Sequence, residues 1–350
     1  MKKVTPITPE ALNAVVRVGV DLAKSTFAVV AVDRREQVQF KRMLKRADFE
    51  RFLGCLPAGC GVAMEACSGA HAWARECSAR GLQPRLLAPQ AVKPYIGEQK
   101  NDLRDARGIC EAAGRPKIQP IRVKSVAESD LQMVVRVREG RVAARTAKSN
   151  QLRGFLAEYG LTLPRGAAAL ESHVPALLED AENGLSAQAR EVLASLYREW
   201  QAAEAEVAEA DGWVRRLTRE IAASQRLQRI PGIGPIIALA LLALLGDGRG
   251  FRTGRALAAW LGLTPNQRST GGKTRLGSIT KHGQVYLRTL LIHGARAALN
   301  SCKASDDRVL RWARGLAERV GKNRAAVALA NKLARVAWRV LVSEAEHRPA

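Results

Sequence analysis

The pattern of apolar residues changes character once along this chain, near residue 110, and that change limits the folds open to it. Before it, the segment Val15–Asp33 (VVRVGVDLAKSTFAVVAVD) is rich in β-branched residues and is broken by polar, turn-like positions at Lys24 and Ser25. That is the pattern of two antiparallel strands. A third strand is predicted over Gln37–Met43, short strands over Gly61–Glu65 and Pro84–Ala88, and a helix over Gly69–Arg80. Strands followed by alternating helix and strand predict an α/β domain with a mixed sheet. Beyond residue 110, Ala, Leu, Arg and Glu recur with helical periodicity, and long helices are predicted over residues 125–157 and 188–221. At 350 residues the chain exceeds one typical domain. It divides into an α/β part (1–124), a helical or coiled-coil connector (125–226) and a mostly helical C-terminal part (227–350).

Charge narrows the function classes. Lys and Arg number 56 against 33 Asp and Glu, and the net charge of +23 implies a polyanionic partner rather than a small metabolite. Nucleic acid is favoured over a membrane, because the longest apolar run, Ile236–Leu245, falls short of the roughly 20 residues that span a bilayer and reads as a buried helix. Met1–Pro9 carries two lysines and no apolar core of a leader, so a cytoplasmic protein, on the nucleoid when acting, is expected. Charge is also unevenly placed. Residues 167–214 hold ten acidic side chains and two arginines, which suits a helical pair facing protein or solvent and able to dimerise. From Gly248 to Ser305 there are ten Lys or Arg and no acid, the footprint of phosphate contact. Residues 112–157 are also basic, with Arg115, Lys117, Arg122, Lys124, Arg136, Arg138, Arg141, Arg145, Lys148 and Arg153 against Glu128, Asp130 and Glu139, and a helix this basic is able to track a nucleic-acid backbone. Six cysteines (Cys55, Cys60, Cys67, Cys77, Cys110, Cys302) lack CxxC spacing and read as small core residues.

Three constellations bear on chemistry. Asp21 and Glu65 each end an apolar strand, and Asp102 and Asp105 sit three apart, on one face of a helix. Carboxylates delivered from strand ends and a helix edge suit hard divalent cations, and two such ions activate and stabilise oxygens in phosphodiester chemistry. Each acid also has a plainer reading: a turn residue, a surface charge, or acids favoured in a helix's first turn. The segment LQRIPGIGPIIAL (227–239) has the form of a helix-hairpin-helix, in which Gly232 and Gly234 allow a tight turn whose N–H groups approach a phosphate; a simple helix-breaking turn in a core is the alternative. Last, a Gly-Gly loop at 271–272 is preceded by Arg268, Ser269 and Thr270 and followed by Lys273, Arg275, Lys281 and Arg288. Hydroxyls among cations fit either attack on phosphorus or passive phosphate binding.

Taken together, GVDLAKSTF (19–27), MEACSGAHAWA (64–74), KNDLRDARGI (100–109), IPGIGP (230–235) and STGGKTRLGSITKHGQVYLRTLLIHGARA (269–297) resemble the DEDD transposases of the insertion sequence 110 family, particularly its 1111 subgroup. The resemblance covers nearly the whole chain. It implies a RuvC-like, RNase H type N-terminal domain, a coiled-coil connection and a C-terminal transposase domain. It places the four acids on Asp21, Glu65, Asp102 and Asp105 with Mg²⁺ or Mn²⁺, and the serine nucleophile on Ser269, with Thr270 adjacent. It further implies DNA ends and target as substrates, a structured noncoding guide RNA as partner, and a homo-oligomer, dimer or tetramer, in which metal site and serine act together. A metal-dependent nuclease similar to a Holliday-junction resolvase is the alternative; a covalent protein–DNA adduct distinguishes the two.

Overall fold

The computed structural model describes residues 7–97, 101–301 and 307–344. Lys2, Lys3, Lys100 and Cys302, used in the sequence reading, lie outside them. The chain forms two compact units, Met1–Ser125 and Val126–Ala350. Among the described residues, no helix is long and apolar enough to cross a membrane.

The first unit runs α1 (Pro9–Asn13), β1 (Arg17–Asp21), β2 (Thr26–Val32), β3 (Val38–Lys45), α2 (Arg46–Cys55), β4 (Gly61–Glu65), α3 (Ala70–Ala79), β5 (Gln83–Leu87), α4 (Pro89–Val92), a short 3₁₀ turn and α5 (Asp102–Ala113). Its strands form one sheet in the order β3-β2-β1-β4-β5. The pairs β3/β2 and β2/β1 are antiparallel, and β1/β4 and β4/β5 are parallel. This mixed α/β architecture is consistent with an RNase H-like domain. Alternation along the strands supplies two buried faces. Val18, Val20, Phe27, Val29, Val62 and Met64 pack with Phe49, Phe52 and Ala74 of α2 and α3, while Ala28, Val30 and Ala63 turn toward Ala106 and Ile109 of α5. Gly19 sets how closely α5 approaches. A Cβ there would lie 2.2 Å from the Ala106 carbonyl oxygen and 2.5 Å from Cys110 Cβ, so β1 and α5 touch backbone to backbone. Alanine at Gly19 overpacks this contact at a cost of about 1–3 kcal/mol and moves α5 off the strand. Gly108, on α5, meets Tyr95 in the same way.

The second unit opens on α6 (Val126–Glu158), followed by α7 (Ala167–Glu179), α8 (Ala187–Glu220), α9 (Ala222–Gln228), α10 (Pro235–Leu245), α11 (Gly254–Trp260), β6 (Pro265–Thr270), β7 (Lys273–Ile279), α12 (Val285–Ser301), α13 (Arg308–Val320) and α14 (Lys322–Ser343). Helix α10 is apolar all round and forms the centre of the main core, surrounded by Leu257, Leu287, Leu291, Leu329 and Leu333, with Val135 of α6 and Val214 of α8 against the same cluster. A second cluster, from Leu152 and Leu156 through Leu170 and Val174 to Leu196 and Trp200, lets α7 close the far end of the α6–α8 pair.

The charges of α6 are spent differently from the sequence reading. Arg138 pairs with Asp211, Arg141 with Glu209 at 2.8 Å, Arg145 with Glu204 at 3.1 Å and Lys148 with Glu199. The descending order of the partners makes α6 and α8 antiparallel. Each half-exposed pair contributes little energy alone, but the series fixes register and orientation. Arg153 donates to the carbonyls of Leu163 and Gly166. The basic face of α6 expected to follow a nucleic-acid backbone is therefore neutralised internally by the acidic stretch of α8.

Candidate active site

Asp21 and Glu65 stand side by side at one end of the sheet, because β1 and β4 are parallel and in register up to Val20–Met64. Helix α5 begins at the same place. Asn101 caps it, its side-chain oxygen accepting from the N–H groups of Leu103 and Arg104 at 3.0 and 3.3 Å, and Asp102 and Asp105 occupy its first turn. Asp21, Asp102 and Asp105 each offer a carboxylate oxygen, and these three oxygens lie within 4.8 Å of one another. Glu65 is outside that set, yet it feels the same charges. Burial, then Asp21, then Asp105 hold its carboxyl above its ordinary value.

This is a donor set that suits a hard divalent cation. The sharpest indication is Asp105, whose Oδ1 is buried and accepts no hydrogen bond from the described residues. A buried, unpartnered carboxylate oxygen is costly unless a cation or donor meets it, and the helix N-terminus alone is a partial remedy. Nearby Cys67 is solvent-exposed and not a core residue, as is Cys55, whereas Cys60, Cys77 and Cys110 are buried. Partial burial first, then the charges of Glu65 and Asp21, raise the Cys67 thiol.

The Ser-Thr-Gly-Gly segment is not a loop. Strands β6 and β7 form a hairpin closed by the two-residue turn Gly271-Gly272, both at positive φ (58° and 75°), as a type I′ turn requires. Gly-Gly between alternating polar and β-branched residues is the sequence signal for such a hairpin, and the sequence reading missed it. Because the strands are paired Ser269 to Thr274, Arg268 to Arg275 and Thr270 to Lys273, the two hydroxyls project from opposite faces. Arg268, Thr270, Lys273 and Arg275 share one face; Gln267, Ser269, Thr274 and Leu276 share the other. Gln267 Nε2 donates to Ser269 Oγ at 2.8 Å, a contact that spacing alone does not reveal. The whole hairpin is exposed as far as Ser278.

Its root is fixed in the core. Gly262 and Gly283 carry no Cβ because His282 and Trp260 carbonyl oxygens would lie 2.2 and 1.8 Å away. Arg288 donates to the carbonyls of Leu261 at 2.9 Å and His282 at 3.1 Å, and Asn331 donates to that of Leu263 at 3.1 Å. Arg288, expected at phosphate, is thus a buried clamp: only 7% of it is exposed and its Nη1 donates to both backbone oxygens. Lys281 is exposed beside the root, at φ 57°. In the IPGIGP turn, Gly232 has φ 90° and lies against Gly294 of α12, where a Cβ would come within 2.8 Å of the carbonyl oxygen; that close approach accounts for the glycine. Gly234 is exposed with open space where its Cβ would be.

Comparison with known proteins places this geometry. Residues 18–161, which hold all four acids, match the DEDD_Tnp_IS110 family model, described as a transposase, and residues 224–310, which hold the hairpin, match that of the transposase IS116/IS110/IS902 family. A protein of Pseudomonas aeruginosa named "Probable family 20 transposase" is 48% identical over 95% of this chain and 98% of its own length. The transposase for insertion sequence element IS1111A of Coxiella burnetii is 40% identical, over 94% and 90% of the two chains, and that for IS1328 of Yersinia enterocolitica is 35% identical, over 92% and 95%. The chain belongs to the IS116/IS110/IS902 family of transposases, enzymes that cut and rejoin DNA and whose DEDD type works with a divalent metal ion.

Proposed function

We propose that the chain recombines insertion-sequence DNA with Asp21, Glu65, Asp102 and Asp105 as ligands of Mg²⁺ or Mn²⁺ and Ser269 as nucleophile. The observation that carries the reading is the convergence of carboxylates around a buried Asp105 oxygen that has no hydrogen-bond partner among the described residues. When bound, the metal supplies Lewis-acid polarisation of a phosphodiester and stabilises the departing oxygen. The protein's part is to hold the ligands: Gly19 lets α5 lie close on β1, and Asn101 fixes the start of the helix that presents Asp102 and Asp105. At the hairpin, a bond forms between Ser269 Oγ and phosphorus as the bond from phosphorus to the leaving deoxyribose oxygen breaks. The serine loses its proton and the leaving oxygen gains one. Attack by a second strand's hydroxyl reverses the step and rejoins DNA without net loss of a phosphodiester. The test is incubation of the full chain with element-end DNA, the noncoding RNA adjacent to it and Mg²⁺, with joined strands and protein-linked DNA resolved on denaturing gels; products that lack both would overturn the reading.

The cationic face of the hairpin binds phosphate in this proposal. Replacing Arg268, Lys273 and Arg275 together by Ala is expected to weaken DNA binding across sequences and to flatten log K against log salt by roughly 2 to 3, about 0.9 per lost contact. Fluorescence anisotropy at a series of salt concentrations reads the slope, and an unchanged slope assigns these cations elsewhere. Lys281 borders the same surface, and Gly232 and Gly234 offer the IPGIGP turn, read as a helix-hairpin-helix, as a sequence-independent contact. A noncoding guide RNA completes the reading on the family resemblance; with α6 neutralised by α8, its cationic surface lies elsewhere on the chain.

Exchange of strands between two DNA partners calls for more than one copy of the chain. We expect at least a dimer on DNA, measured by light scattering of the purified complex, and a monomeric active complex would contradict it.

A further inference from the structure

A second concentration of cations lies beyond the acid-free stretch. Residues 308–343 contain nine Lys or Arg and one acid, Glu318. Helix α13 is strongly two-sided: Leu310 and Ala313 are buried, and Arg308, Arg311, Trp312, Gly315 and Arg319 recur at helical spacing on the outer face. Trp312 is the anomaly. An indole is a costly group to leave in water, and this one is 40% exposed in a row of arginines. One side of its ring is covered by the Lys332 ammonium, 4.8 Å from the centroid, reaching over from α14. One turn along the helix, Gly315 leaves open space where a side chain would stand. Lys322 and Arg324, also exposed, continue the positive charge past the helix end.

We propose that this face is a stacking platform for single-stranded nucleic acid, with an unpaired base laid on the open side of the Trp312 ring and the flanking phosphates met by Arg308, Arg319, Lys322 and Arg324. The chemistry is specific in one respect. A duplex offers this face phosphates but no free base plane, so cations alone would serve it and the indole would add nothing; a single strand offers both, and base–aromatic stacking tolerates any sequence. The row from Arg308 to Arg319 spans about 16 Å of helix, room for a few nucleotides. A cation on the covered side of the ring strengthens the indole as a platform by fixing its orientation. The platform is independent of the acids and of Ser269.

The experiment measures binding of the full chain to fluorescent oligo(dT) and oligo(U) of about 15 nucleotides and to a duplex of equal length, at several salt concentrations. Trp312→Ala is expected to weaken single-strand binding about fivefold or more while leaving the duplex within about twofold and the salt slope unchanged. Trp312→Phe, which keeps a ring, retains most of the affinity. Arg308→Ala with Arg319→Ala lowers the single-strand slope by about 0.7 per contact. A loss with both oligonucleotides, or with one alone, supports the platform and shows which strand it accepts. Equal losses on single strand and duplex, or none on either, would overturn it. Wild-type protein supplies a readout independent of any variant's folding: photo-crosslinking to 5-iodouracil-substituted oligonucleotides should map to the peptide holding Trp312, and crosslinks found only elsewhere would also reject the proposal.

Discussion

Asp21→Asn, Asp102→Asn, Asp105→Asn and Glu65→Gln are each expected to lower DNA cutting and joining by about a hundredfold to a thousandfold, the scale of a lost metal ligand worth several kcal/mol. Each substitution removes a charge with almost no change of shape, so the α5–β1 contact at Gly19 survives it. Stability should move the other way. Burial, then Asp21, then Asp105 raise the Glu65 carboxyl, so the folded unit binds a proton there more tightly than the unfolded chain. The metal-free unit therefore loses stability as pH climbs from the ordinary carboxylate range through the raised value of Glu65. Asp21→Asn relieves part of that repulsion and should raise the melting temperature of the metal-free protein while lowering activity. A divalent cation opposes the same loss, by about 2.7 kcal/mol at a hundredfold excess over its Kd. Calorimetry with and without Mg²⁺ reads both effects. A Mg²⁺-dependent rise in wild type that persists undiminished in Asp105→Asn, or full activity in all four variants, would refute the metal assignment.

Much of the first unit was legible because its signals are local. The β-branched run around Gly19 and the polar break at Lys24–Ser25 state two strands, and the strand expected over Gly61–Glu65 emerges with those bounds. What brings the acids together was not local: that Gly19 faces Ala106 depends on which strand lies beneath α5, and no spacing between residues 21 and 102 encodes it. Charge misled where its partner lay far along the chain. Arg138, Arg141, Arg145 and Lys148 look like a nucleic-acid face until Asp211, Glu209, Glu204 and Glu199 are laid against them, and each of those acids was already visible in the sequence as part of an acidic stretch. Arg288 illustrates the same limit. In a basic segment, a guanidinium that holds two carbonyls reads no differently from one awaiting a phosphate. The hairpin's signal is local as well, since Gly271-Gly272 stands between two short polar strands.

The hairpin's two faces give the serine prediction its sharpness. Ser269→Ala is expected to abolish strand joining and any protein–DNA adduct while changing DNA affinity less than about twofold, because one uncharged hydroxyl contributes little beside the cationic term. Thr270→Ala should leave the adduct in place, because Thr270 lies on the face of Arg268, Lys273 and Arg275, opposite Ser269. A serine hydroxyl is a weak nucleophile until its environment stabilises negative charge on it. Within the hairpin that role falls to Gln267, whose amide N–H points at Ser269 Oγ from 2.8 Å and can strengthen as the oxygen gains charge. Gln267→Leu removes the donor and keeps comparable bulk, so adduct formation should slow by about tenfold to a hundredfold with binding unchanged, the loss of one hydrogen bond to a developing charge. Mass-spectrometric mapping of the linked peptide decides among the readings. Attachment at Ser269 supports the assignment, attachment at Thr270 transfers the chemistry to the cationic face, and joining of DNA with no adduct at any time point leaves the acids of the first unit as the catalytic apparatus of a metal-only enzyme.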